Sequence, residues 1–322
     1  MNYQEFRAYR DRVTSGASLV RLDCMNPAKA LSREFSVRAE PGTDLASVAE
    51  RWNSLVLGPR LSTEGRTALT CGVRQALDRL MAEGAQLERQ VWLPLGVYPE
   101  YWALAARHRV DARRYDSLPT LDLDFLERAD ESAWAVVPHP LVPEGRPLTT
   151  REISKLASWL RGTRRILVLD CAYALDLPVT ALAPILETGR AVLLHSLSKG
   201  WLSPGTLGAA HLPHALDGIA FAPPSGEALS RAASLLSAEP LMPRRVEEIL
   251  TKRWLRLSAV IRRHFNGWNP PETGYFSILP ASSTELLTRH SWLAIPCSVF
   301  GSDRAEMSVI TCLFYGEDDP LP

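Results

Sequence analysis

Four short, almost uninterrupted apolar runs in the middle of the chain constrain its fold most. They are Val91-Trp92-Leu93-Pro94, Ala133-Trp134-Ala135-Val136-Val137, Arg165-Ile166-Leu167-Val168-Leu169-Asp170 and Ala191-Val192-Leu193-Leu194-His195-Ser196. A strand that is apolar at successive positions shows an apolar side chain to both faces. It must therefore be covered on both, as in a parallel sheet between helices. Helical patterns fall between the runs. From Gly72 to Glu83, Val73, Ala76, Leu77 and Leu80 share one face. Thr149-Thr150-Arg151-Glu152 opens another helix, ending near Leu160, with a cap residue and an acid in its first turn. The alternation predicts a doubly wound, mostly parallel α/β domain over residues 55–215.

The pattern changes beyond it. Arg244 to Phe265 places Val246, Ile249, Leu250, Trp254, Leu257, Val260 and Ile261 on one stripe of a long helix. Short strand-like pieces follow at Tyr275–Leu279, Leu293–Ile295 and Met307–Phe314. Residues 216–322 thus read as a smaller α+β domain. Residues 1–54 are too few to bury a core of their own and are expected to join it.

Composition narrows the function. Lys plus Arg and Asp plus Glu both number 36, so the formal charge is zero, without the basic excess of a nucleic-acid binder. The five cysteines, Cys24, Cys71, Cys171, Cys297 and Cys312, contain no CxxC pair, so neither a disulfide framework nor a metal site is expected. Met1 to Arg12 mixes charges with aromatics rather than forming an apolar signal core. No window approaches the ~18 apolar residues of a membrane span. The expected setting is the cytoplasm, a reducing compartment.

Three loops sit where open α/β sheets bind ligands, at strand ends. Thr70-Cys71-Gly72-Val73 precedes a helix, so bare N–H groups can meet an anion there. Asp170-Cys171-Ala172-Tyr173 follows the third run, and Ser196-Leu197-Ser198-Lys199-Gly200-Trp201 follows the fourth. Individually these are a helix start, a capping acid and a surface lysine. Their order and spacing together resemble the class I/II aminotransferases, fold type I enzymes that use pyridoxal 5′-phosphate (PLP). The Ser-x-Ser-Lys-Gly segment, about thirty residues beyond Asp-x-Ala-Tyr, carries most of the resemblance. Leu93-Pro94-Leu95-Gly96-Val97-Tyr98-Pro99, Pro138 to Gly145, Gly274-Tyr275-Phe276 and Pro296-Cys297-Ser298-Val299-Phe300-Gly301 resemble other family motifs in the family's order. Leu22-Asp23-Cys24-Met25-Asn26-Pro27 resembles its early substrate-facing loop. The likeness runs from about Leu19 to Phe314.

The resemblance implies a fold type I PLP-dependent transferase, with Lys199 bonded to the cofactor aldehyde and moving the Cα proton. It implies Asp170 against the pyridine nitrogen, Tyr173 on the phenolate oxygen and Tyr98 stacked on the ring. Cys71, Gly72 and Val73, with Ser196 and Ser198, would hold the phosphate. It also implies a homodimer and a small-molecule amino substrate.

The sequence leaves the pattern at four places. Leu207 stands eight residues after Lys199, where the family has a phosphate-binding Arg; Arg74 or Arg60 is expected to replace it. Val142-Pro143-Glu144-Gly145 lacks the family Asn, and His139 is expected to fill that gap. Val309 occupies the place of the carboxylate-binding Arg, so the substrate either lacks a free α-carboxylate or meets another cation, Arg304 being nearest. Cys297 replaces a Gly. At 322 residues the chain is also short for the family. The expected function is an aminotransferase-like enzyme acting on an amino acid or modified amine in specialised biosynthesis. A lyase, decarboxylase or cyclase on the same fold, or a non-catalytic relative, is the alternative; no GxGxxG supports a dehydrogenase.

Overall fold

The structure, a computed structural model, describes residues 1–15, 19–31, 44–61, 65–118, 120–176 and 179–313. Phe314 and the side chain of Arg60 lie outside the described residues. The chain opens with the helix Tyr3–Val13, fixed at its start by a capping box between Asn2 and Glu5. Strand β1 (Val20–Arg21) and the helices Pro27–Leu31 and Leu45–Trp52 follow.

A seven-stranded sheet then builds up from β2 (Gly65–Thr70), β3 (Gln90–Leu95), β4 (Asp111–Asp116), β5 (Trp134–Pro138), β6 (Ile166–Asp170), β7 (Ala191–Ser196) and β8 (Gly208–Pro213). Its spatial order is β2-β8-β7-β6-β5-β3-β4. Pairing is parallel from β4 through β7, and β8 runs antiparallel to both neighbours. The helices Val73–Gln86, Glu100–His108, Thr150–Leu160 and Val179–Leu186 connect the strands. Every residue of β5, β6 and β7 is buried, as their continuous apolar runs require. The α/β class and mostly parallel sheet expected from the sequence are present.

The remaining chain holds the helices Gly226–Ala238 and Met242–His264, then β9 (Phe276–Leu279), the helix Ser283–His290, β10 (Trp292–Leu293), β11 (Ile295–Pro296) and β12 (Ser308–Thr311). β11, β12 and β9 form a small antiparallel sheet. β1 pairs with β10, Val20 opposite Trp292, which ties the first helix to this end of the molecule. Among the described residues, no helix is long and apolar enough to cross a membrane.

Candidate active site

Ladder register brings the three loops to one edge of the sheet. Thr70, the last residue of β2, pairs with Gly208 at the start of β8, and Gly208 pairs with Ser196 at the end of β7. On the next strand Asp170 ends β6, opposite Leu194 of β7. A Cβ on Gly208 would lie 2.6 Å from the Cα of Gly72 and 2.6 Å from Thr70 Oγ1. Glycine at 208 is therefore what lets the first loop fold down onto this edge.

Lys199 sits in the one-turn helix Leu197–Gly200, started by Ser196, whose Oγ accepts the Ser198 N–H at 3.3 Å. The turn points Lys199 into a cavity of about 660 Å³ whose walls include Tyr98, Tyr173 and Arg74. Its Nζ lies 5.1 Å from the centre of the Tyr173 ring. Burial pushes the ammonium down from 10.5 to about 8, with Cys24 acting weakly in the opposite direction. A depressed lysine pKa means that the unfolded chain holds more protons between about 8 and 10.5. The contribution of Lys199 to stability therefore increases with pH across that window. Lys199 is expected to react with an amine-directed reagent with a midpoint near 8, well below the ~10.4 of an exposed lysine. Labelling over a pH series, read by peptide mass, checks this; a midpoint equal to that of the exposed lysines would refute it.

Asp170 is off the cavity wall and is 7% exposed. Oδ2 accepts the Tyr101 hydroxyl at 2.6 Å and Oδ1 accepts the Ala172 N–H at 3.0 Å. Burial raises its pKa, and these two bonds oppose that effect. Among the described residues no cation pairs with it, so a positive charge placed against it would stabilise its ionised form. Tyr101 was not singled out in the sequence. Its signal was position: it lies three residues beyond Tyr98, in the first turn of a helix, and a buried phenol needs a partner. Burial raises Tyr98 to about 12, and Tyr173 is raised by burial as well. Tyr173 also packs on Tyr275 and Phe276, at 5.9 and 5.4 Å between ring centres.

The other expected residues divide into three groups. Cys71, Gly72 and Val73 stand at the start of the helix Val73–Gln86, on the same sheet edge but off the cavity wall. The Cys71 N–H donates to Gln75 Oε1 at 2.8 Å, and the Gly72 N–H to Thr70 Oγ1 at 3.3 Å. Ser196 and Ser198 share that edge. Arg74 does line the cavity, but Glu100 Oε2 takes its guanidinium at 2.6 Å, so the expected bare phosphate cation is already paired.

His139 and Arg304 do not reach Lys199. The His139 ring is buried, accepts the Leu148 N–H at 3.5 Å and is pushed down to about 4 by burial. It lines a separate cavity with Asp176, Glu247 and Glu272. Only its backbone meets the site, donating to the Asp170 carbonyl at 2.9 Å. Arg304 donates to the Leu118 carbonyl at 3.4 Å and faces another cavity, beside Asp303. Leu207 and Val309 are core residues, 1% and 0% exposed, so neither place could hold a charge without rebuilding its surroundings. The loop Asp23-Cys24-Met25-Asn26 does line the Lys199 cavity, and so does one face of the first helix, with Tyr3, Arg7 and Arg10.

Comparison with known proteins places this geometry in a family. The family model for aminotransferase class I and II matches residues 47–306. A probable aminotransferase of Arabidopsis thaliana, TAT3, is 31% identical over 148 residues, 42% of this chain and 33% of the relative. Nicotianamine aminotransferase 1 of Oryza sativa subsp. japonica is 32% identical over 147 residues, 42% of this chain and 30% of the relative. The matched region thus spans about a third of the length of these curated relatives. Among solved structures, the methionine aminotransferase YbdL of Escherichia coli superposes with a TM-score of 0.76 at 16% identity, covering 99% of this chain and 94% of that one. N-Succinyldiaminopimelate aminotransferase of Mycobacterium tuberculosis superposes with a TM-score of 0.73 at 18% identity, covering 98% and 93%. These two share the fold type I architecture with this chain, whose own central sheet has seven mostly parallel strands. The chain belongs to the class I and II aminotransferase family.

Proposed function

We propose that the chain is a PLP-dependent enzyme of aminotransferase type acting on a small amino compound. One observation carries the reading. A partly buried lysine amine opens into a cavity, and a buried carboxylate with no cation beside it among the described residues stands at the end of the strand adjacent to the one that precedes it. That donor set fits PLP, whose protonated ring nitrogen is the charge Asp170 lacks. When bound, PLP supplies an aldehyde that captures amines and a ring that accepts electron density from Cα.

The rest is the work of the chain. Lys199, with a pKa near 8, holds an appreciable neutral fraction near neutral pH and can take a proton from Cα and return it. Asp170 would stabilise a proton on the ring nitrogen, and Tyr101 and Ala172 hold its two oxygens in place. Tyr98 and Tyr173 are cavity walls that exclude water from the reacting face. On the sheet edge the Val73 N–H, at the start of a 14-residue helix, and the hydroxyls of Ser196 and Ser198 would offer donors to a phosphate. Homodimeric assembly rests on family resemblance, a cytoplasmic setting on cysteine usage, and a place in specialised biosynthesis on the departures at Leu207 and Val309; all three extend the reading.

The test is chemical. Borohydride reduction of the protein with added PLP, followed by peptide mapping, should place a pyridoxyl group on Lys199. A label on a different lysine, or none, overturns the reading.

A further inference from the structure

We infer that the carboxylate of the amino substrate is held by Arg7 and Arg10 of the first helix, in place of an arginine from the C-terminal sheet. The inference rests on the proposed function, because it identifies the anchor of that same cavity. Val309 is fully buried within β12, and Arg304 faces elsewhere. The described part of the C-terminal sheet therefore brings no arginine to Lys199.

The first helix does. Tyr3, Arg7 and Arg10 stand at i, i+4 and i+7, one face of an α-helix, and all three line the cavity that holds Lys199. Phe6, next to that face, is 0% exposed and packs into the core. The capping box at Asn2 and Glu5 fixes the start of the helix, and buried Phe6 packs it onto the core.

Charge around the cavity favours an anion. Arg7, Arg10, Lys29 and Arg74 line it, against Asp23 and Glu100. Glu100 neutralises Arg74. Asp23 is fully buried and is gripped by Arg21 through two bonds, at 2.7 and 3.0 Å. Arg10 lies farther from Asp23, at 3.9 Å, and its closer partner is the exposed Asp11, at 3.0 Å. Arg7 has no acidic partner among the described residues. A guanidinium fork on a helix face that lines the same cavity as an amine can take a carboxylate in two parallel bonds. The substrate class is thus an amine bearing a free carboxylate, not one in which it is masked.

The experiment measures binding by calorimetry with glutarate and its neutral isostere glutaramide, on the protein with PLP added. Wild type should prefer glutarate. Arg7→Gln with Arg10→Gln should weaken glutarate by roughly ten- to a hundred-fold, the worth of charge-assisted bonds, and leave glutaramide unchanged. Arg304→Gln should bind glutarate as wild type does. Retained glutarate affinity in the double variant, or a loss confined to Arg304→Gln, overturns the inference. Circular dichroism of the double variant confirms its fold, and Arg7→Lys should restore part of the affinity. Borohydride labelling of Lys199 in the same samples separates the two failures. A labelled Lys199 with glutarate binding indifferent to Arg7 and Arg10 refutes this anchor alone, whereas an unlabelled Lys199 refutes the proposed function.

Discussion

Lys199→Ala is expected to abolish covalent retention of PLP and to reduce amino-group turnover by at least roughly 10²–10⁴-fold, the contribution of one positioned general base. The variant should nevertheless fold. Burial lowers the Lys199 ammonium to about 8, so near neutral pH the folded protein carries a charge its surroundings disfavour, and alanine removes that cost. The lysine contributes no sheet bond, and its turn is held by the Ser196 cap, which the substitution leaves intact. Thermal unfolding should therefore be close to that of wild type, while the absorbance of bound PLP is lost on dialysis. A small added amine should recover part of the turnover, because it can move the Cα proton where the side chain no longer does. Full turnover in Lys199→Ala, with PLP retained after dialysis, would remove Lys199 from the chemistry.

How much of this was legible in the sequence depends on what each residue does. β3, β5, β6 and β7 announce themselves because buried strands need apolar residues at successive positions. β2, β4 and β8 do not. β4 is an edge strand that reads Asp-Ala-Arg-Arg-Tyr-Asp, with only Tyr115 buried; its charges suit an edge and conceal a strand. β8 reads Gly-Ala-Ala-His-Leu-Pro, where small residues fit a close backbone approach and carry little strand preference. The three loops at the sheet edge were legible because their residues come in a fixed order and spacing that resemble the family's.

The direction in which a side chain points was less visible. His139 and Arg304 lie near the right places in sequence, but the His139 ring serves the Leu148 N–H and Arg304 serves a loop carbonyl. Glu100 and Tyr101 are set by their place on a helix that begins just after Tyr98. The face formed by Tyr3, Arg7 and Arg10 follows a helical repeat that can be read from the first ten residues. Nothing in those residues alone says that the face is turned toward the Lys199 cavity; the tertiary fold, which buries Phe6 and lines the cavity with that face, shows it.

Asp170→Asn should slow proton exchange at the substrate Cα by roughly 10²–10³-fold, the usual cost of removing one preorganised electrostatic partner. The amide keeps the shape of the carboxylate. Its oxygen can still accept one of the two bonds now given by Tyr101 and Ala172, at 2.6 and 3.0 Å. The Tyr101 hydroxyl can rotate to accept from the new N–H, so the fold and the covalent link to Lys199 should persist. What disappears is the negative charge. Asp170 is buried with no cation beside it among the described residues, and its pKa is raised by burial. It therefore gains most when a protonated ring nitrogen arrives, and it stabilises that proton in return. Tyr101→Phe should have a smaller effect in the same direction, because it removes a donor that favours the ionised carboxylate. Deuterium wash-in at Cα provides the measurement, and a PLP analogue with carbon in place of the ring nitrogen provides the control. With that analogue, wild type and Asp170→Asn should exchange equally slowly. If the two differ as much with the analogue as with PLP, Asp170 acts by shaping the strand end and not by its charge.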